Sequence, residues 1–152
     1  MRALALLLLM MSPALADDWG HYVNTQYGFE IDVPPGLLAR GEAAGGQDFT
    51  SPTVTLMVQG EAVGAAGFEA AVARWRAWEE RQGWTIMFQA TTPSDAEFSG
   101  RRSGWAIEAR AISLCNGTAL ARFQLEYGTA DMPRMGAVIE RLARSLRATT
   151  RC

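Results

Sequence analysis

Two glutamates, Glu108 and Glu126, are the residues of this chain best placed to perform hydrolytic chemistry. They lie in predicted strands on either side of Asn116-Gly117, a dipeptide typical of β-hairpin turns. Directly opposite residues of a hairpin have Cβ atoms about 5 Å apart, which suits the carboxylate pair of a retaining glycosidase. The alternative is a solvated sheet face on which Arg110 and Arg122 offset the repulsion between the carboxylates. We expect the solvated face, because it offers no aromatic residue to bind a sugar.

The register of this hairpin decides which side chains share a face. A two-residue loop would place Ala111 opposite Arg122 and would mix apolar with charged residues. A three-residue loop, Asn116-Gly117-Thr118, pairs Ala111 with Phe123 instead. Because a single buried face should select the register, we predict the three-residue loop. The opposite face then collects the polar residues that we predict as a binding surface, namely Glu108, Arg110, Arg122, Gln124 and Glu126.

The two cysteines, Cys115 and Cys152, are 37 positions apart. Redox and metal-binding thiol pairs are normally close in sequence, whereas two cysteines in an oxidising compartment usually pair. We predict a structural disulfide, which would stabilise the fold by about 4 kcal/mol on the chain-entropy account.

Other catalytic and metal-binding patterns are missing from the sequence. His21 is the only histidine, no C-x-x-C is present and no G-x-S-x-G occurs, so we expect neither a zinc site nor a serine hydrolase. We expect His21 to lie exposed in a flexible leader. No phosphate-binding loop or dinucleotide fingerprint is present, and no cofactor is expected.

The first sixteen residues resemble an export signal. Arg2 precedes an apolar run, and Ala14-Leu15-Ala16 is the small-x-small pattern of a signal peptidase site. We expect cleavage after Ala16, which leaves residues 17–152 as one domain in the periplasm or outside the cell. The apolar run is too short for a transmembrane anchor, which needs roughly 20 residues.

The composition argues against nucleic acid as a partner. The formal net charge is −2, and all the basic residues are arginines. A mildly acidic protein lacks the positive field that attracts a phosphate backbone.

Apolar periodicity predicts six strands and two helices. Strands are expected at 19–23, 29–33, 54–59 and 84–89 and on both sides of Asn116-Gly117, with an irregular loop at 40–47. Helical spacing from Phe68 to Arg81 predicts one helix, and Asp131-x-Pro133 opens the other. This order predicts an α+β fold in which a single, mostly antiparallel sheet is packed by two amphipathic helices.

Trp75, Trp78 and Trp84 could form a platform on which a carbohydrate stacks. Trp75 and Trp78 recur at the helical spacing of the apolar residues, Trp75 within the stripe and Trp78 at its edge. We therefore expect both to pack in the core.

The opening of the predicted domain resembles that of PsbP-like exported bacterial proteins. The resemblance rests on Asn24-x-x-Tyr27-Gly28-Phe29, an alternating strand and Pro34-Pro35-Gly36, and on Tyr127-Gly128 followed by a helix that ends near Leu146-Arg147. It implies a PsbP-like α/β/α sandwich over nearly all of residues 17–152. It also implies a binding or assembly module and not a shared catalytic set. The opening motif is then expected to start the fold and not to form a site.

Three functional hypotheses follow. The first is a non-enzymatic exported module that binds an envelope protein or a small ligand. The second is an envelope or cell-wall glycoside hydrolase that uses Glu108 and Glu126. The third is an envelope-stress accessory with no ligand of its own.

Overall fold

The structure is a computed structural model that describes residues 18–43 and 45–149. The export signal predicted at 1–16 and Cys152 lie outside these residues, so cleavage and the disulfide stay predictions. The described residues form an α+β fold, as expected. The helices are α1 (Gly67–Arg81) and α2 (Met132–Ser145). The strands are β1 (Gly20–Asn24), β2 (Phe29–Val33), β3 (Leu38–Ala43), β4 (Gly46–Thr50), β5 (Val54–Ala62), β6 (Thr85–Thr91), β7 (Asp95–Arg102), β8 (Trp105–Leu114), β9 (Ala119–Gly128) and β10 (Arg147–Ala148).

The strands form two sheets, so the prediction of a single sheet is wrong. The larger sheet has the order β3-β4-β5-β9-β8-β7-β6, and the smaller has the order β1-β2-β10. Neighbouring strands are antiparallel in both sheets. The first hairpin separates from the larger sheet because Pro34 and Pro35 directly follow β2, and a proline cannot donate to a ladder.

The opening motif fixes the turn between β1 and β2. The side-chain oxygen of Asn24 accepts a hydrogen bond from the backbone N–H of Tyr27 at 2.9 Å. The Asn24 amide donates to the carbonyl oxygen of Gly45 at 2.9 Å, and Gly28 adopts a φ of 70°. Phe29 and Ile31 then enter the core fully buried. The motif therefore starts the fold, as the sequence predicts.

Both faces of the larger sheet carry buried apolar clusters. On one face, Phe123 and Leu125 of β9 pack with Met135 and Leu142 of α2 and with residues of β2. On the other face, Ile107 and Ala109 of β8 pack with α1 and with Phe98 of β7. The α1 residues of this second cluster are Phe68, Ala71, Val72 and Trp75.

The coverage of both faces explains why the predicted β8–β9 register is wrong. Ala111 lies opposite Arg122, Ala109 opposite Gln124 and Ile107 opposite Glu126. Cys115 to Thr118 connect the two strands, and three of these residues, Cys115, Asn116 and Gly117, have positive φ. The predicted register assumed one buried and one solvated face. A sheet covered on both sides has no such preference, and each of its faces carries apolar and polar residues.

Two further segments differ from the prediction. The loop expected at 40–47 is a hairpin of β3 and β4, in which the Gln47 amide donates to the carbonyl oxygens of Arg40 and Gly41. Strand β7 was not predicted, because only Ala96 and Phe98 of its eight residues are apolar. In both segments, backbone pairing with neighbouring strands replaces the alternation that marks a strand in the sequence.

Candidate functional site

The five residues predicted as one binding surface lie on two faces of the larger sheet. Glu108 and Arg110 point to the side of α2, whereas Arg122, Gln124 and Glu126 point to the side of α1. Glu108 lies opposite Leu125, and Glu126 lies opposite Ile107. The carboxylate pair expected for a glycosidase is therefore not formed, because the sheet separates its two members.

Arg110 attaches α2 to the sheet. Its Nη2 donates to Oδ2 of Asp95 at 2.6 Å, and its Nε donates to the same oxygen at 3.1 Å. Its Nη1 donates to the carbonyl oxygen of Ala143, near the end of α2, at 2.6 Å. A guanidinium that is held on both sides is well suited to fix the helix and poorly suited to bind a ligand.

Glu108 lies beside Arg110 on the same face. Burial raises the pKa of this carboxyl, although the charge of Arg101 and a hydrogen bond with Tyr127 act in the opposite direction. The aromatic hydroxyl of Tyr127 therefore contacts the residue that the sequence offered as a catalytic acid. The charge of Glu97 on β7 also raises this pKa, whereas the residue opposite Glu108 in the β8–β9 pairing is Leu125.

On the other face, Arg122 stacks on Trp75 of α1. The guanidinium carbon lies 4.5 Å from the centroid of the indole ring. Nη2 of Arg122 donates to Oε1 of Gln59 at 2.6 Å and lies 3.5 Å from Oε2 of Glu61. Burial lowers the pKa of Arg122, and the carboxylates of Glu61 and Glu79 oppose that effect.

A chain of polar contacts continues along β9. Nε1 of Trp75 donates to Oε1 of Gln124 at 3.1 Å, and Nε2 of Gln124 donates to Oε1 of Glu126 at 2.8 Å. Oε2 of Glu126 lies 3.8 Å from Nη2 of Arg102. Gln124 is buried at 6% exposure, so its partners satisfy an amide that would otherwise be costly to bury.

Glu79 of α1 faces the same chain of polar groups. It is 7% exposed, an unusual degree of burial for a carboxylate. Burial and the charge of Glu126 raise its pKa, and hydrogen bonds with Trp75 and Gln124 and the charge of Arg122 offset this only in part. The helix therefore holds a carboxyl with an elevated pKa against the sheet.

These side chains line a groove beside α1, because the helix covers only part of its face of the sheet. The groove encloses about 200 Å³ between the helix and strands β5 and β9. Its lining residues are Met57, Gln59, Trp75, Trp78, Glu79, Arg122 and Gln124. A wider depression of about 480 Å³ adjoins it along Trp75, Trp78 and Arg122 and reaches Arg74 and Arg81. We call the two together the α1 groove.

Trp78 forms part of the wall of the α1 groove and is 54% exposed, so the prediction that it packs in the core is wrong. Trp75 is 8% exposed and does pack there. The position of each tryptophan around the helix could have predicted this difference, because Trp78 lies at the edge of the apolar stripe and Trp75 lies within it. The guanidinium of Arg81, one turn further on, lies 5.7 Å from the centroid of the Trp78 ring.

His21 lies in β1 and not in a flexible leader. Its Nδ1 is 3.3 Å from Oδ1 of Asp32, and its Nε2 is 3.3 Å from Oε2 of Glu30. The same two carboxylates pair with Arg141 and Arg147. Within residues 18–43 and 45–149, no three His, Cys, Asp or Glu side chains are grouped so that they could hold a metal ion. In the same part of the chain, neither helix has the length and apolar character needed to cross a membrane.

Comparison with known proteins relates the chain by its fold and not by its sequence. No known family and no curated protein matches it in sequence. The solution structure of cyanobacterial PsbP (CyanoP) from Synechocystis sp. PCC 6803 is similar with a TM-score of 0.61 and 13% identity, over 93% of this chain and 98% of that one. The Ran-binding protein Mog1p of Saccharomyces cerevisiae is similar with a TM-score of 0.61 and 9% identity, over 88% of this chain and 97% of that one. The chain therefore has a PsbP-like fold, as the sequence resemblance implies.

Proposed function

We propose that the protein is an exported, non-enzymatic module that binds a partner protein through the α1 groove. The observation that carries the proposal is the exposed Trp78 between Arg74 and Arg81, beside a groove with a polar floor. Tryptophan and arginine are the residues that most often dominate the energy of protein interfaces. The yeast protein of similar fold is described as Ran-binding, which supports a role in protein binding for this architecture.

The charges around the groove favour an acidic partner segment. The carboxylates on the floor are already engaged, since Glu61 pairs with Arg122, and Glu126 contacts Gln124 and Arg102. The third, Glu79, is buried and its pKa is raised. The exposed charges on the outer side of the groove are those of Arg74 and Arg81. An acidic segment with one apolar side chain would complement these arginines and Trp78.

The placement of the carboxylates supports the proposed non-enzymatic role. The pair that the sequence offered for hydrolysis lies on opposite faces of the sheet. Glu79 and Glu126 do neighbour each other at the α1 groove, but both already interact with other side chains. Glu79 interacts with Trp75, Gln124 and Arg122, and Glu126 accepts a hydrogen bond from Gln124. The α1 groove could instead bind a small ligand, and the following experiment distinguishes this alternative from a protein partner.

The test compares capture by four immobilised forms of the chain, the wild type and three variants, from an extract of the organism that encodes it. A protein retained by the wild type is identified, purified and titrated against each form by calorimetry. We expect Trp78→Ala and Arg81→Glu each to weaken its binding by about tenfold or more, and binding to weaken further as salt is added. The matched control is Met132→Ala, which removes an exposed apolar side chain from the other helix.

Equal binding by the wild type and by both groove variants would overturn the proposal. Retention of a small molecule alone, detected in the native mass spectrum of the captured chain, would also overturn it. Trp78 and Arg81 are exposed, so their replacement is not expected to unfold the chain.

A further inference from the structure

Strand β6 is an exposed edge of the seven-stranded sheet. It pairs with β7 on one side, and no strand of the described residues lies on its other side. Six of its seven residues are exposed, among them Met87 at 69% and Phe88 at 52%. Phenylalanine is among the residues most often fully buried, so the exposure of Phe88 is unusual.

No charged residue protects this edge. The chain carries no Asp, Glu, Lys or Arg from residue 82 to residue 94. Natural sheets usually block an open edge with charges, prolines or bulges. The register of β6 shifts between Ile86 and Phe88, but the pairing is regular from Phe88 to Thr91, and Pro93 lies beyond the end of the strand.

The other edge of the same sheet shows the usual protection. Strand β3 contains the exposed Arg40, and its pairing with β4 is irregular directly after this residue. Gly41 lies at the irregularity with a φ of 30°. The two edges are therefore distinguished by charge, although both carry an exposed apolar side chain, Leu38 at 70% and Met87 at 69%.

We infer that two copies of this chain pair edge to edge through β6, with antiparallel strands related by a two-fold axis. Antiparallel pairing about a two-fold axis places the residue at the axis opposite its own copy, so a charge near the axis would lie close to a like charge. An uncharged strand is free of that repulsion. An uncharged strand also offers no ion pair to a charged partner. The absence of charge therefore favours a second copy of the chain over the acidic partner proposed for the α1 groove.

The pairing would join the two sheets into one of fourteen strands and would cover Phe88 and Met87. It uses the end strand of the sheet, whereas the α1 groove lies between α1 and strands β5 and β9. The inference is therefore independent of the proposed function, and either can fail without the other.

The test is sedimentation equilibrium of the mature chain over a range of concentrations. We expect the wild type to reach twice the mass of the single chain. We expect Gln89→Lys, which places like charges across the axis, to weaken association by about tenfold or more. Leu38→Lys, on the other edge of the sheet, is the matched control and should associate as the wild type does.

A second measurement tests whether charge repulsion, and not damage to the fold, causes the loss of association. Gln89→Lys and Gln89→Glu, each expected to be monomeric alone, should form a mixed dimer when combined. A wild type that stays monomeric at every concentration would overturn the inference. So would a wild-type dimer that persists in Gln89→Lys, or an equimolar mixture of the two variants that does not associate.

Discussion

Glu79 shows at the scale of one residue how α1 and the sheet constrain each other. Its carboxyl is buried between the helix and β9, and the nearest opposite charge, Arg122, is shared with Glu61. The result is a pKa above the ordinary value of 4.5, caused first by burial and then by Glu126. Ionisation of this group therefore opposes folding.

The pH dependence of stability should reveal this opposition. When the folded pKa of an acid is raised, the native state is penalised as pH rises above the unfolded value of 4.5. Glu79→Gln removes the penalty and keeps a hydrogen-bond acceptor. We therefore expect the free energy of unfolding of the wild type to fall relative to that of the variant as the pH rises above 4.5.

Urea unfolding of both proteins at several pH values checks this expectation. Glu80→Gln, which removes an exposed carboxylate at the neighbouring position of the same helix, is the control. A difference between wild type and Glu79→Gln that is constant with pH would contradict the account of Glu79.

At the scale of elements, the opening motif joins the first hairpin to the larger sheet. Tyr27 packs against Gly60 of β5, and Asn24 donates to the carbonyl oxygen of Gly45, which also accepts a hydrogen bond from the N–H of Gly60. The motif therefore acts across two sheets, although its residues are adjacent in sequence.

Gly60→Ala tests this junction. A Cβ at residue 60 would lie 2.6 Å from two ring carbons of Tyr27, closer than packed side chains allow. We expect the variant to lose about 1–3 kcal/mol of unfolding free energy because the ring or the strand must shift. Chemical denaturation measures the loss.

Gly64→Ala is the control for this prediction, because no atom would lie within 4 Å of its added Cβ. Replacing Tyr27 by Ala in the same chain should reduce the cost of Gly60→Ala, since the clash is removed. Equal stability of wild type and Gly60→Ala would mean that the junction is loose.

At the scale of the whole molecule, two sequence predictions remain to be tested, namely export and the disulfide. Cys115 lies in the connection between β8 and β9, and the sequence predicts that it pairs with Cys152. Closing a loop of this length would restrict the unfolded chain and tie the end of the sequence to the larger sheet.

The intact mass of protein purified from the periplasm tests both expectations. We expect a chain that starts at Asp17, is lighter by about 2 Da than its reduced form and is not alkylated before reduction. Reduction followed by alkylation should add two groups and serves as the control. A mass that includes residues 1–16 would contradict export with cleavage, and alkylation without reduction would contradict the disulfide.

The sequence by itself determined features whose causes are local. Asn24 and Gly28 define a turn, the prolines end β2, and the spacing of Phe68, Val72 and Trp75 defines the buried side of α1. These features depend on backbone preferences and on periodicity within one element. The α+β class followed from the order of the elements along the chain, and the resemblance of the opening motif to PsbP-like proteins implied the fold.

Only the tertiary structure decided which faces are covered. The five residues predicted as one surface lie on two faces because a hairpin with one buried face and a hairpin with two covered faces prefer different registers. The same coverage left Trp78 exposed, buried Glu79 and separated Glu108 from Glu126. Each of these outcomes depends on contacts between elements far apart in sequence, and the pattern within a single element does not contain them.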